Sequence, residues 1–443
     1  MQSYQPLVGM KDLSGIELRQ QQYLQALFMG LLERCGYQFV QPSLLERAGS
    51  FDKSVVGVSP WPEWNDKGVI MIDDVVYGGD YKTKTSSTPS VLIPEGTISV
   101  ARMVAGMLAQ NPDLAFPIKT AYTLPCFRNE LETTLSGTKR RQFMQLGVEV
   151  IGAPAGDSDV EAINLIHSCL REFGVDAKYI KVRVGDVAVF NRLVELSQIG
   201  ASDAVLLKEF LDAIAECRAG KMSHRQNALE VEMLRLLTHV QVAERYKEAW
   251  IGITKGMSTV DFAKKVDDKD VWEGVLRLNS LAETLTSLGC TIVLDLCVVR
   301  SHEYYSGIAF EIDVVTPTNS YVEVGGGGRY DKLIGHFLSE EMPKSVPATG
   351  FAFGLERIAQ LLLALNLLTL ERSATYLVSL SDTPRGLLVV PSAESGGYLH
   401  AAEYAERMRA SGTPVDIYLG VPEQLDAYAK QAGYTRKGTV LCL

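Results

Sequence analysis

Three arginine-centred segments carry side chains able to handle phosphate. The first is Phe127-Arg128-Asn129-Glu130, which closes a strand-like run and is followed by a polar loop and Arg140-Arg141-Gln142-Phe143. A strand end presenting Arg and Glu beside a basic loop suits a triphosphate, because the planar guanidinium fork neutralises and orients phosphate oxygens. A salt bridge at a hairpin is the other reading of the same residues. The second segment, Arg300-Ser301-His302-Glu303-Tyr304-Tyr305-Ser306-Gly307, offers a charged group with two aromatic walls ahead of a strand; paired aromatics also serve as plain core. The third, Gly350-Phe351-Ala352-Phe353-Gly354-Leu355-Glu356-Arg357, runs into an apolar helix. Its glycines let a planar ligand approach the backbone, and close packing would use them equally well.

These segments need elements to hold them. Leu18, Leu24, Leu27, Phe28, Leu31 and Leu32 recur at helical spacing across 17–33, and Gly36 follows as a stop. Strand-like runs are expected at 37–40, 69–72, 121–127 and 145–151. In the last of these, alternation puts Gln145, Gly147 and Glu149 on one side and Leu146, Val148 and Val150 on the other. Residues 159–173 read as a helix. From about 186 to 270 helical stretches dominate, as in a helical module inserted into the domain. Helix then strand returns at 271–288 and 291–296. Strands are expected at 308–315 and 321–324, with the glycine run Gly325–Gly328 after them and an apolar helix ending near Leu370. The last 59 residues alternate strand and helix, which favours a small α/β domain with a parallel sheet.

Composition narrows the classes. The chain has 443 residues, of which 47% are hydrophobic, and a net charge of −10. That is enough for two or three domains with real cores, and no apolar run is long enough for a membrane span. Residues 1–6 lack the basic and apolar regions of a signal peptide, so a cytoplasmic protein is expected. Seven widely spaced cysteines include no CxxC pair and no Cys/His cluster, so neither a disulfide framework nor a metal site is expected. The acidity gives no overall footprint for nucleic acid, and basic and acidic residues balance in the tail.

Taken together, the segments resemble the three signature motifs of class II aminoacyl-tRNA synthetases. Gly9-Met10-Lys11-Asp12-Leu13, with the helix after it and the strand ending at Pro42, looks like motif 1, the dimer-forming element. Phe127–Glu130 with Arg141-Gln142-Phe143 looks like motif 2, and Gly350–Arg357 like motif 3. Four further segments point to the histidyl branch: Pro94-Glu95-Gly96-Thr97, Gln142–Glu149, Arg300–Gly307, and Gly326-Gly327-Gly328-Arg329-Tyr330-Asp331. The sequence departs from the branch at Ile93, where the branch has arginine, at Ser301–Glu303, and in a tail that stops about one strand-helix-strand unit early.

The resemblance implies an α+β fold: a class II antiparallel-sheet catalytic core in two parts (1–185 and 276–370), a helical insertion (186–275), and a truncated anticodon-binding-like α/β domain (385–443). It implies histidine activation by ATP with Mg²⁺, and transfer to tRNA, in a homodimer. Arg128, Arg300 and Arg357 would be catalytic. Arg128, Glu130, Phe143 and Arg357 would bind ATP, with Phe127 or a neighbour stacked on adenine. Glu95, Thr97, Gln145, Glu149, Tyr304, Tyr305 and Tyr330 would hold the amino acid, histidine or a relative of it. Two alternatives share the resemblance: a synthetase paralogue with a non-translational acceptor, and the non-catalytic regulatory subunit of ATP phosphoribosyltransferase.

Overall fold

The computed structural model describes residues 6–52, 55, 68–72, 89–129, 133–134, 137–138, 140–219, 225–299, 304–316, 321–368, 387–390, 404, 407–408, 415–417 and 440–442. The chain divides into two compact units, Met1–Leu367 and Leu368–Leu443.

In the first unit, α1 (Gly15–Arg34) buries Leu24, Leu27, Phe28 and Leu32 along one face, and Gly36, at φ +79°, ends it. Then come β1 (Gln38–Phe39), β2 (Leu45–Arg47), β3 (Ile70–Ile72), β4 (Ser90–Leu92), α2 (Thr97–Gln110) and β5 (Ile118–Phe127). The short β6 (Thr133–Thr134) and β7 (Gly137–Thr138) precede β8 (Gln142–Ile151), α3 (Asp157–Glu172) and β9 (Ile180–Asp186). Six helices follow: α4 (Val187–Leu196), α5 (Ala201–Arg218), α6 (Gln226–His239), α7 (Glu244–Thr254), α8 (Thr259–Val266) and α9 (Lys269–Ser287). Asp186 makes the change from strand to helix, because its carboxylate accepts from the Ala188 and Val189 N–H groups at the start of α4. The helices run on through residue 275 to Ser287. The chain returns with β10 (Ile292–Leu294), β11 (Ile308–Val315), β12 (Tyr321–Arg329), β13 (Ala348–Gly354) and α10 (Leu355–Ala364).

Among the described residues the main sheet has eight strands, in the order β1-β5-β8-β13-β12-β11-β9-β10. Its interior pairs are antiparallel, and its two outermost pairs, β1 with β5 and β10 with β9, are parallel. This is the expected α+β core of the class II synthetase kind. Leu146, Val148, Phe351 and Phe353 form one face, against which α3 packs, with Phe173 edge-on to Phe353. The opposite face is poor in large side chains where Gly147, Ala352 and Gly326 stand abreast.

Two expectations change. The glycine run does not follow β12 but lies inside it, since the strand continues to Arg329. Pairing on both sides compensates for the absent side chains, and Gly328 leaves space for the Tyr305 ring, 2.9 Å from where a Cβ would stand. The apolar helix ends at Ala364 instead of near Leu370, because Asn366 turns left-handed at φ +57°. Ile93, where the histidyl branch has arginine, is fully buried in the core.

The second unit, among its described residues, is a three-stranded parallel sheet in which β14 (Leu387–Val390) lies between β15 (Val415–Ile417) and β16 (Val440–Cys442). This is the parallel sheet expected of the tail.

Candidate active site

The site is built on the bare face of the main sheet. Residues directly opposite in neighbouring strands share a face, so the register lays out its rows. Gln145 stands beside Leu124 and Gly354; Gly147 beside Tyr122 and Ala352; Glu149 beside Thr120 and Gly350. Each glycine leaves room for a named neighbour. A Cβ on Gly147 would fall 2.0 Å from the Tyr122 ring, and one on Gly350 would fall 1.8 Å from Glu149 Oε2.

Glu149 is buried, and hydroxyls meet both of its oxygens. Tyr122 donates to Oε1 at 3.1 Å, and Tyr330 donates to Oε2. Burial pushes its carboxyl up to about 8, against hydrogen bonds from Tyr330, Thr97 and Tyr122 that pull it down. The charge of Glu95 raises it further. Glu95 is itself buried, at the turn into α2; it accepts from the Tyr304 hydroxyl at 3.1 Å and from the Ile98 N–H at 3.2 Å. The Gly96 N–H, at 2.7 Å, and the Cys126 thiol, at 3.4 Å, both donate to Gln145 Oε1, which fixes the amide's orientation. Tyr304 packs against Tyr305 with ring centroids 4.8 Å apart, and edge-on to Tyr330 at 6.0 Å. Glu95, Thr97, Gln145, Glu149, Tyr304, Tyr305 and Tyr330 thus form one polar cluster with aromatic walls.

The phosphate-handling candidates flank this cluster. Arg128 follows β5, donates from Nε to Pro94 O at 3.0 Å, and sets its guanidinium 5.2 Å from the Phe143 ring centroid. Phe143 shares the face of Gln145, whereas Phe127, paired with Gln142, lies on the opposite face. Phe127 therefore lies on the face away from the cluster, and Phe143 on the cluster's own face, with the Arg128 guanidinium over its ring. Arg357, in the first turn of α10, folds its stem beside Gly354 and reaches β12, where Nη1 lies 3.4 Å from Glu323 O and 3.7 Å from Glu323 Oε2. Glu356 turns the other way and accepts from the Met144 N–H at 3.0 Å. Arg300 and Glu130 lie outside the described residues, as do residues 131–132, 135–136 and 139 of the loop between β5 and β8.

Tyr122 was not among the candidates read from sequence, because an aromatic in an apolar strand reads as core. Its signal was the pair Gly96 and Gly147, both of which give way to its ring. Among the described residues no group of three or more His, Cys, Asp or Glu side chains could hold a metal ion.

A sequence model of the family described as Histidyl-tRNA synthetase matches residues 90–358, which takes in every described residue of this site. The chain belongs to the histidyl-tRNA synthetase family. A histidine–tRNA ligase of Sulfurisphaera tokodaii is 27% identical over 98% of this chain and 90% of its own length. An ATP phosphoribosyltransferase regulatory subunit of Nostoc sp. is also 27% identical, over 97% of this chain and 93% of its own. Among solved structures, an ATP phosphoribosyltransferase regulatory subunit/histidyl-tRNA synthetase from Bacillus halodurans C aligns with a TM-score of 0.72 at 20% identity, over 99% of this chain and 98% of that one. Apo S. aureus histidyl-tRNA synthetase aligns at 0.63 and 22%, over 99% and 92%. At these identities the structures speak for the fold. Within the histidyl-tRNA synthetase family, then, relatives of equal identity carry a ligase name and a regulatory name.

Proposed function

We propose that the chain binds histidine or a close relative of it together with ATP on this face, and joins them as an aminoacyl-adenylate for transfer to tRNA. The observation that carries the reading is Glu149, buried between the hydroxyls of Tyr122 and Tyr330 on the same strand face as Gln145. An imidazole N–H can donate to a carboxyl so placed, and Glu95 is an anion suited to the α-ammonium. A pocket built this way rejects side chains lacking those donors, because its own polar groups would be left unpaired.

In the reaction the histidine carboxylate oxygen attacks the α-phosphorus of ATP. A new O–P bond forms, the bond to the β-phosphate oxygen breaks, and pyrophosphate leaves. Negative charge gathers on the phosphate oxygens, so fixed guanidinium groups stabilise the transition state. By family resemblance Arg128 serves the α-phosphate, Arg357 the far phosphates, and Arg300 the carboxylate. Mg²⁺ would come bound to the nucleotide and supply further neutralisation. A homodimer in the cytoplasm, with tRNA as acceptor, belongs to the same reading.

The test is histidine-dependent exchange of pyrophosphate into ATP by the purified protein, followed by charging of histidine tRNA. Exchange with charging supports the ligase. Exchange without charging selects a paralogue with another acceptor. A second reading, the regulatory subunit of ATP phosphoribosyltransferase, is favoured by the equal identity to relatives of that name and by the ion pairing of Arg357 with Glu323. Histidine binding with no exchange at all would select it.

A further inference from the structure

We infer that Glu323 governs how strongly this site holds a triphosphate, by occupying the arginine that the far phosphates require. The inference rests on the nucleotide-binding reading above and adds to it a residue that none of the sequence motifs contains.

The register carries the argument. Strict alternation along β12 would put Glu323 on the face of Gly325 and Gly327, opposite to Gly326 and Gly328. The pairing with β11 shifts instead. Ile312 opposes Gly325, the next residue, Asp313, opposes Glu323, and Val324 is the extra residue of a bulge. Bulges of this kind re-aim side chains beside functional sites. Here Val324 turns fully into the core, and Glu323 comes to share a face with Asp313, Glu311 and Gly326, the face that carries Gln145 and Glu149. The contact with Arg357 agrees independently, since that side chain lies beside Gly354 on the same face.

The neighbouring carboxylates Glu311 and Asp313 are both bound by Arg183 within the sheet. Glu323 brings its carboxylate to Arg357, with Oε2 3.7 Å from Nη1. A triphosphate reaching Arg357 must displace a carboxylate or sit beside it. Both side chains are partly exposed, at 42% for Arg357 and 24% for Glu323, so the pair is weak enough to open. While closed, it opposes a polyanion and leaves a ligand without far phosphates unaffected.

The experiment is calorimetric titration of Mg–ATP, AMP and histidine into the full chain, as wild type, Glu323→Gln, Arg357→Ala and the double variant. Glu323→Gln should bind Mg–ATP roughly five- to tenfold more tightly with AMP unchanged, and the gain should vanish in the Arg357→Ala background. Unchanged or weaker Mg–ATP binding by Glu323→Gln, or a gain that persists without Arg357, overturns the inference while the nucleotide site stands. If wild type and Glu323→Gln bind histidine but neither Mg–ATP nor AMP, the nucleotide reading itself fails and the inference falls with it.

Discussion

Glu149 shows how much of this site depends on single residues. Burial, which penalises the charged form, pushes its carboxyl up to about 8 from an ordinary value of 4.5. A group raised in the folded state stabilises the fold most at pH below its ordinary value, and that contribution is lost as pH climbs through about 8. His167 has the opposite sign: burial lowers it to about 4 from 6.5, so its contribution is complete above 6.5 and lost as pH falls. The window from 6.5 to 8 therefore isolates the carboxyl from the imidazole. Melting temperature should fall across that window in wild type and fall less in Glu149→Gln; parallel curves would rule out the raised carboxyl. Gly350→Ala should cost about 1–3 kcal/mol in denaturant melts and weaken histidine binding, because the added methyl collides with Glu149 Oε2 and the Val148 carbonyl. Wild-type stability in that variant would mean that the strand yields without strain. Two-residue spacing made the shared face of Gln145 and Glu149 legible from sequence. The hydroxyl partners of Glu149 were partly legible: Tyr330 and Thr97 lay in motifs, whereas Tyr122 came from a strand whose aromatic had no local mark of function.

At the scale of elements, the register of β12 and the seating of the helical insertion decide what reaches the site face. Alternation in the sequence cannot announce a bulge, because Val324 is extra only relative to β11. The glycine run was placed after the strand for a related reason: glycine has no side chain to show alternation, and only paired neighbours on both sides make the run strand. The insertion is tied down by Arg183 on β9, which binds Glu311 and Asp313 within the sheet and donates to Ala215 O on α5 at 3.2 Å. Taking away one member of a buried ion cluster leaves the others uncompensated. Arg183→Met should destabilise the protein by about 3–5 kcal/mol, and hydrogen exchange should show protection lost first in α5. A small effect, or uniform loss across the sheet, would mean that α5 is held by its apolar contacts alone.

At the scale of the whole molecule, the order of elements and the class II architecture were legible because helix and strand periods persist through long segments, and because the motifs fall at strand and helix ends as expected. The proposed homodimer would leave a fainter trace, since one chain cannot display its partner. The trace is a set of exposed apolar side chains in the segment likened to motif 1: Leu7 and Val8 are 73% and 72% exposed, and Ile16, Leu18 and Met29 are exposed around α1. Exposed apolar side chains scattered singly need no explanation, but several in one N-terminal segment suit a surface covered by a second copy. Two-fold symmetry doubles every substitution at such a contact, because each copy presents the same patch. Val8→Glu combined with Ile16→Glu should therefore turn a dimer into a monomer in sedimentation at micromolar concentration. Histidine binding should persist, because neither residue touches the Glu149 cluster. A wild-type protein that sediments as a monomer would refute the dimer, and a variant that remains a dimer would move its interface away from this segment.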